Sequence, residues 1–250
     1  MSQSLQRALH ILSLLGDEPA SLDDLAGELD VHKTTVLRLL RPLTEEHFTY
    51  RDEQHRYHLG ARLLELAAAA ADQRTLRVIA SPHLTSFNRE YGRTTHLAER
   101  EGSNVVYIEK LESRDQIRMF SRVGTAANLN STGVAKVILA DLPDDQLERE
   151  VDRIDFVRRT PNTITDPAVF LREVREVRER GWATDREENE PSINCIAMPV
   201  RGQSGRVLGA VSVSVPDVVL PYEDLLGLLD PLRATCTAIS VDCGYRPAES

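Results

Sequence analysis

The chain has 250 residues and a formal net charge of −9. This length allows two modest domains with cores of their own, and the acidic charge excludes a nucleic-acid coat over the whole surface, although a local basic patch remains possible. Three scattered cysteines form neither a disulfide framework nor a zinc pattern, so we expect a reducing, cytoplasmic setting without metal or cofactor. No apolar run reaches the roughly 18 residues of a membrane span, and residues 2–15 lack a signal-peptide cleavage pattern. We therefore expect no membrane partner.

The first third of the chain predicts three helices and a β-hairpin. Ser21 is a favourable N-cap for the second helix, and the third carries Pro42, which should kink it or end it near Leu40. We assign residues 1–60 to this domain and residues 61–78 to a linking helix. The predicted elements cover residues 4–15, 22–29, 33–46 and, for the hairpin, 48–59.

The remainder, residues 79–245, predicts an α+β domain because strands and helices mix without regular alternation. The predicted strands cover residues 94–100, 105–111, 117–123, 195–201 and 206–215. The predicted helices cover residues 79–91, 132–140, 144–151, 166–180 and 222–239.

The second and third helices fit the packing pattern of a helix-turn-helix. Ala26 falls where the two helices approach most closely, and Asp30 takes the turn position, where a left-handed conformation is needed. A plain helical trio would explain neither the Ala26 spacing nor the basic hairpin that follows. The apolar packing positions are Leu25, Leu29, Val31, Val36 and Leu39.

The same register predicts a DNA-reading face on the third helix. An arginine there can read guanine in the major groove, and threonine hydroxyls suit phosphate oxygens. Arg51 and Arg56 of the hairpin would lie beside the flanking backbone or minor groove. We therefore expect double-stranded operator DNA as a partner. The outward positions of the helix are Lys33, Thr34, Thr35, Leu37, Arg38 and, if the helix continues past Pro42, Arg41.

A second hairpin, over residues 195–215, predicts a cavity floor. If Gly202 faces Gly205 across a two-residue turn, Cys195 lies opposite Ser212, and side chains alternate between two faces. A small, mildly polar face suits the floor of a ligand cavity, and a closely packed helix is the alternative. The predicted core face carries Ile196, Met198, Val200, Val207, Val211, Val213 and Val215. The small face carries Cys195, Ala197, Ala210, Ser212 and Ser214.

The order and spacing of several segments, from Ser4 to about Pro216, resemble the isocitrate lyase regulator (IclR) family of bacterial repressors and activators. The departures are Pro42, where a helix former is usual, and Ala135, where glycine usually precedes the lysine. The resemblance implies a winged helix-turn-helix, a linking helix and a GAF/PAS-like effector domain. It also implies homodimers through the N-terminal region, often paired into homotetramers. The similar segments are residues 4–9, 33–40, 57–60, 132–136, 159–165, 185–188 and 195–197.

The resemblance also implies effector contacts in the second domain. Free N–H groups at the helix that begins near Gly133 favour a carboxylate, and the hydroxyl of Thr132 can join those of the serines in binding sugar or keto oxygens. We therefore expect a small organic acid, with a sugar acid ahead of an aromatic acid. The positions that match family effector contacts are Met119, Gly133, Asp185, Cys195, Ser212 and Ser214.

Three other functions compete with a ligand-responsive transcription regulator, for which repression is the favoured mode. An enzyme would use Cys195 as nucleophile with His96 or His83 as base, but no motif orients them. A metal sensor would need clustered histidines, and the seven present are scattered. A DNA-binding adaptor without a ligand would not need the small polar face.

Overall fold

A computed structural model describes residues 3–73, 75–114 and 119–246. The chain divides into two compact units, Met1–Arg74 and Thr75–Ser250. Within the described residues, no helix combines the length and apolar character that a bilayer crossing requires.

The first unit contains the predicted helices and hairpin, followed by a fourth helix. Ser21 caps the second helix in a capping box: its hydroxyl accepts from the Asp24 amide at 3.2 Å, and the Asp24 carboxylate accepts from the Ser21 amide at 2.9 Å. Asp30 adopts a φ of +48° at the predicted turn. The elements are α1 (Gln3–Asp17), α2 (Leu22–Glu28), α3 (Lys33–Glu45), β1 (Thr49–Arg51), β2 (Tyr57–Leu59) and α4 (Ala61–Gln73).

Two predictions about helix ends are corrected. Helix α3 runs through Pro42 to Glu45, so an end near Leu40 is wrong. The proline removes only the amide that would donate to the Arg38 carbonyl, and its own carbonyl still accepts from the Glu46 amide at 3.0 Å. The linking helix predicted over residues 61–78 is instead interrupted: α4 ends at Gln73, and extended Thr75 caps the next helix.

The second unit is an antiparallel sheet with helices on both faces, in the strand order β4-β3-β7-β6-β5. One face packs against α5, α9 and α10, and the other packs against α6, α7 and α8. The strands are β3 (Thr94–Glu101), β4 (Asn104–Leu111), β5 (Ala183–Arg186), β6 (Ile193–Arg201) and β7 (Val207–Pro216). The helices are α5 (Leu76–Tyr91), α6 (Gly133–Ala140), α7 (Asp144–Val151), α8 (Pro167–Arg180), α9 (Tyr222–Leu225) and α10 (Leu229–Asp242).

Two element predictions in this unit differ from the structure, and one strand was missed. Residues 119–123 form no strand, because the side chain of Lys110 takes up the carbonyls of Met119 and Ser121 at 2.9 and 2.8 Å; residues 117–118 lie outside the described residues. The helix predicted over residues 222–239 is broken by a 3₁₀ turn at Leu226–Leu228 that contains Gly227. The short strand β5 was not predicted.

The β6–β7 hairpin has a different register from the predicted one. Its loop has three residues and ends at Gly205 with a φ of +78°, and a bulge follows near Leu208. Cys195 therefore pairs with Ser214 rather than with Ser212. Because the slip is two residues, Cys195 and both serines keep their predicted face, whereas the bulge moves Val207 to the opposite face from the prediction.

Candidate DNA-binding surface and effector cavity

One face of α3 anchors the helix and the other is exposed. Val36, Leu39 and Leu40 are buried in the core of the first unit, whereas Leu37 is 45 % exposed and Thr35 is half-buried at the edge. The remaining predicted contact residues are all exposed: Lys33, Thr34, Arg38, Arg41, Arg51 and Arg56.

The exposed polar side chains of α3 differ in how they are held. His32 caps the helix, because its Nδ1 accepts from the Thr34 amide at 3.3 Å and lies 2.9 Å from the Thr34 hydroxyl. Lys33 forms an ion pair with Asp23 on α2, and the Arg41 Nε donates to Glu45 at 2.8 Å. Within the described residues, no hydrogen bond or ion pair engages the Arg38 guanidinium. Among the described cations of this face, Arg38 therefore has a guanidinium whose hydrogen-bond donors are available to an external partner.

The hairpin holds its two predicted arginines against the unit. The Arg51 guanidinium lies over the Tyr57 ring, 5.7 Å from its centroid, and the Arg56 Nε donates to the Pro19 carbonyl at 3.1 Å. The turn is tied by His58, whose Nε2 lies 2.7 Å from Asp52; this hydrogen bond and one from the Arg56 amide lower the pKa of Asp52. The Arg56 guanidinium is therefore fixed in position, and part of its hydrogen-bonding capacity is taken by the Pro19 carbonyl.

All seven predicted effector residues line one cavity of about 290 Å³ in the second unit. Its floor follows the sheet register, in which Asp185, Cys195 and Ser214 form one row across β5, β6 and β7. Ser212 lies in the next row beside His96. Thr132 and Gly133 enter from the start of α6, and Met119 enters from the segment between β4 and α6.

The start of α6 approaches the floor closely because of a glycine. A Cβ on Gly133 would lie 3.0 Å from the Ala197 Cβ and 3.4 Å from the Cys195 Sγ. Ala197 and Ala210 belong to the core beneath α6 and do not line the cavity, so the alternative of a closely packed helix holds for those two residues. The small face therefore forms the cavity floor at Cys195, Ser212 and Ser214. It forms the packing surface for α6 at Ala197 and Ala210.

The first turn of α6 offers amide groups to the cavity. Thr132 is the N-cap residue, but its hydroxyl donates to the Asn128 carbonyl at 2.7 Å and makes no capping bond. Among the described residues, no side chain caps this turn. Gly133 and Val134, the first two residues of the helix, both line the cavity. Uncapped amides at a helix N-terminus favour an anion.

A buried charge network supports the β5 end of the cavity. The Lys136 Nζ is fully buried and donates to both Glu188 oxygens, at 2.6 and 2.8 Å, and to the Thr184 carbonyl at 2.9 Å. The Asp185 Oδ1 accepts from the Glu188 and Asn189 amides at 2.7 and 3.1 Å. Burial, and then the charge of Glu188, raises the pKa of Asp185 to about 7.

The buried thiol and imidazole of the cavity are not arranged for nucleophilic catalysis. Burial raises the pKa of Cys195 to about 12 and lowers the pKa of His96 to about 3. The His96 nitrogens face Ser121 at 2.7 Å and Ser212 at 3.4 Å, and His83 lies 2.7 Å from Asp242. A protonated thiol without a base partner is a poor nucleophile.

Several cavity residues were not predicted as contacts, because no local pattern marks them as facing a ligand, although Arg159 begins one of the segments that resemble the family. They come from β3, β4 and three connecting segments, and only the sheet register brings them together. Among them are His96, Tyr107, Ser121, Asn128, Arg159, Asn189 and Glu190.

The raised pKa of Asp185 predicts a pH-dependent stability. The folded chain holds this proton up to about pH 7, while an unfolded Asp loses it near about pH 4, so the unfolding free energy should fall as pH rises between these values. Replacing Asp185 with Asn keeps an oxygen for the two amides and should flatten this slope, leaving the part due to Glu188 and Glu190, because burial raises the pKa of those two carboxyl groups as well. Urea unfolding across this range tests it, with Asp230→Asn, an exposed position on α10, as control. An unchanged slope in Asp185→Asn would refute the assignment.

Comparison with known proteins gives one family match for the helix-turn-helix region and another for the region that contains the cavity. A model of the IclR helix-turn-helix domain matches residues 4–53, and a model of the bacterial transcriptional regulator IclR C-terminal domain matches residues 68–241. The chain belongs to the IclR family. Together these matches span most of the sequence, so this IclR protein is a DNA-binding transcription regulator with a C-terminal ligand-binding domain, and not an enzyme.

Named IclR relatives match over nearly the whole chain. The transcriptional repressor AllR of Salmonella typhimurium LT2 is 29 % identical over 98 % of this chain and 92 % of its own. The transcriptional regulator KdgR of Escherichia coli K12 is 31 % identical over 97 % and 93 %. The crystal structure of Thermotoga maritima IclR is 32 % identical, covers 96 % of this chain and 98 % of its own, and has a TM-score of 0.65.

Proposed function

We propose that this protein is a cytoplasmic repressor that binds operator DNA through α3 and the hairpin and releases or retains it according to a small organic acid in the cavity. The observation that carries the proposal is the cavity itself. The cavity has a small polar floor and lies at the uncapped start of α6, and the same chain carries a helix-turn-helix.

On the DNA side, we assign base reading to Arg38 and phosphate contacts to Thr34 and Arg56. Arg38 is exposed with a free guanidinium, which suits a bidentate contact to guanine. Thr34 lies in the first turn of α3, where amides and hydroxyls favour phosphate oxygens. Arg56 is fixed by the Pro19 carbonyl, so it can hold the register without reading sequence.

On the effector side, the polar lining supports a sugar acid over an aromatic acid. A carboxylate at the start of α6 would meet the amides of Gly133 and Val134. Hydroxyl groups of Ser212 and Ser214 and the carboxyl of Asp185 face the same space and can bind hydroxyl or keto oxygens. An aromatic ring would leave these groups without partners, which is costly in a buried site.

We also propose a homodimer through the first unit, with dimers pairing into tetramers. Leu5 and Leu9, one helical turn apart on α1, are 59 % and 56 % exposed, and Leu64 on α4 is 75 % exposed. Exposed leucines at helical spacing favour burial against a second copy. Dimers also match operators that contain two half-sites.

Replacing Arg38 with Ala should weaken operator binding by about 1–3 kcal/mol and relax specificity at one base pair. Fluorescence anisotropy with the operator, its single-base variants and a random duplex measures both effects. Arg62→Ala is the matched control, because Arg62 is an exposed arginine of the same unit that is paired with Glu65 and is not a predicted DNA contact. Equal losses on cognate and random duplexes would show that Arg38 contacts phosphate instead.

A further inference from the structure

One leucine interrupts the polar outward face of α3. Leu37 is 45 % exposed, whereas the other three leucines of the helix pack in or against the core of the first unit. The next residue along the chain is Arg38, to which we assign base reading. A single exposed leucine needs no explanation on an ordinary surface. This one lies on the face assigned to the major groove, so its exposure calls for a partner in the DNA.

The side chain of Leu37 borders open space on the side of the hairpin. A groove of about 290 Å³ lies between α3 and the hairpin, and its lining includes Leu37, Thr44 and Tyr57. Among the described residues, the core cluster of this unit does not include Leu37. Replacing Leu37 should therefore leave the fold of the unit intact, because surface positions outside the core contribute little to stability.

Leu37 can offer only an apolar contact, and the major groove contains one apolar group. That group is the C5-methyl of thymine, whereas the other base edges present hydrogen-bond donors and acceptors. A leucine placed on a phosphate would desolvate the charge without replacing its hydrogen bonds. The two threonines of this face are held differently, because the Thr34 hydroxyl lies 2.9 Å from His32 Nδ1 and Thr35 is half-buried. The thymine methyl is therefore the group that matches Leu37.

The position of Leu37 relative to Arg38 restricts where such a thymine lies. Consecutive residues of a helix point about 100° apart, so the two side chains reach different base pairs. They are separated by about 1.5 Å along the helix axis, which is less than the spacing of about 3.4 Å between stacked base pairs. The two base pairs are therefore neighbours.

We propose that Leu37 is a specificity-determining residue that reads the C5-methyl group of a thymine next to the guanine contacted by Arg38. The operator then contains a T·A pair beside a G·C pair at the point where α3 enters the major groove. This inference rests on the proposed function, because it assumes that α3 reads operator DNA.

The first test removes the methyl group from the DNA and leaves the protein unchanged. The probe is the tightest duplex that the full-length chain selects from a random pool, with each thymine replaced in turn by uracil, which pairs in the same way but lacks the methyl. Wild type should lose about three- to fivefold in affinity by fluorescence anisotropy at a thymine beside a guanine, as the loss of one buried methyl group implies. Leu37→Ala should bind the thymine and uracil duplexes equally. Leu37→Met keeps a long apolar side chain and should still distinguish them.

The second test adds the methyl group to a different base pair. The same T·A pair is replaced by C·G, with either cytosine or 5-methylcytosine, whose methyl occupies the position of the thymine methyl. The 5-methylcytosine duplex should bind wild type about three- to fivefold more tightly than the cytosine duplex, and Leu37→Ala should show no gain. Leu59→Ala is the matched control, because Leu59 is 38 % exposed on the hairpin and should keep both methyl effects.

The outcomes separate this inference from the proposed function. A chain that selects no duplex from the pool would overturn both. Uracil that has no effect at any thymine, 5-methylcytosine that adds no affinity, or equal methyl effects in wild type and Leu37→Ala would overturn the role of Leu37 while leaving operator binding in place. Loss of the methyl effects in Leu59→Ala would also overturn it, since that result indicates a general disturbance of the unit.

Discussion

Replacing Lys136 with Met is expected to lower the free energy of unfolding by about 3–5 kcal/mol, the largest stability effect that we predict for a single side chain. Lys136 is fully buried and makes three hydrogen bonds, two of them to Glu188. Its removal leaves the Glu188 carboxylate and the Thr184 carbonyl without their donor. A buried carboxylate without a partner must either stay charged at high cost or take up a proton.

A double-mutant cycle tests this expectation. The variants are Lys136→Met, Glu188→Gln and the two combined, and the measurement is urea unfolding. We expect the double variant to be clearly more stable than the sum of the single effects predicts, because the charges are removed together. Additive losses, or a cost below about 1 kcal/mol for Lys136→Met, would contradict a buried ion pair here.

Replacing Cys195 with Leu is expected to abolish the effector response while leaving operator affinity intact. The Cys195 side chain lines the cavity directly below the start of α6. A larger apolar side chain at this point would occupy the space in front of the Gly133 and Val134 amides. The DNA-binding unit has its own core and should be unaffected.

Cys195→Ala is the matched control for this variant. The thiol makes weak contacts, from Sγ to the Ile196 carbonyl at 3.6 Å and with the hydroxyls of Ser212 and Ser214, and burial raises its pKa so that it stays protonated and unreactive. Removing it should therefore preserve the response. The measurement is operator anisotropy with increasing concentrations of the acid that most stabilises wild type in a thermal-shift screen. A normal response in Cys195→Leu would place the effector outside this cavity.

Local patterns predicted the elements that depend on local chemistry. The Ser21 cap, the Ala26 spacing and the helical face that carries Arg38 follow from side chains a few residues apart, and the structure places them as the spacing indicates. The small face of Cys195 and Ser212 also followed from alternation alone. It survived the wrong register because a slip of two residues does not change the face.

The features that escaped prediction depend on contacts between distant segments. The bulge near Leu208 moves Val207 to the face opposite to the predicted one. Strand β5 is too short to give a pattern, and its place depends on pairing with β6. Residues 119–123 are held by Lys110 rather than by a strand ladder. The cavity residues that come from β3, β4 and the connecting segments are therefore evident only in the folded chain.

The most direct measurement is the affinity of the purified full-length chain for the promoter DNA beside its own gene, taken at several salt concentrations with and without the panel of small acids. We predict a sequence-specific affinity that falls steeply with salt, as phosphate contacts require, and that changes when one of the acids is added. An affinity that is absent, or that responds to neither salt nor any acid, would contradict a regulator that reads DNA with α3 and senses a metabolite in its second unit.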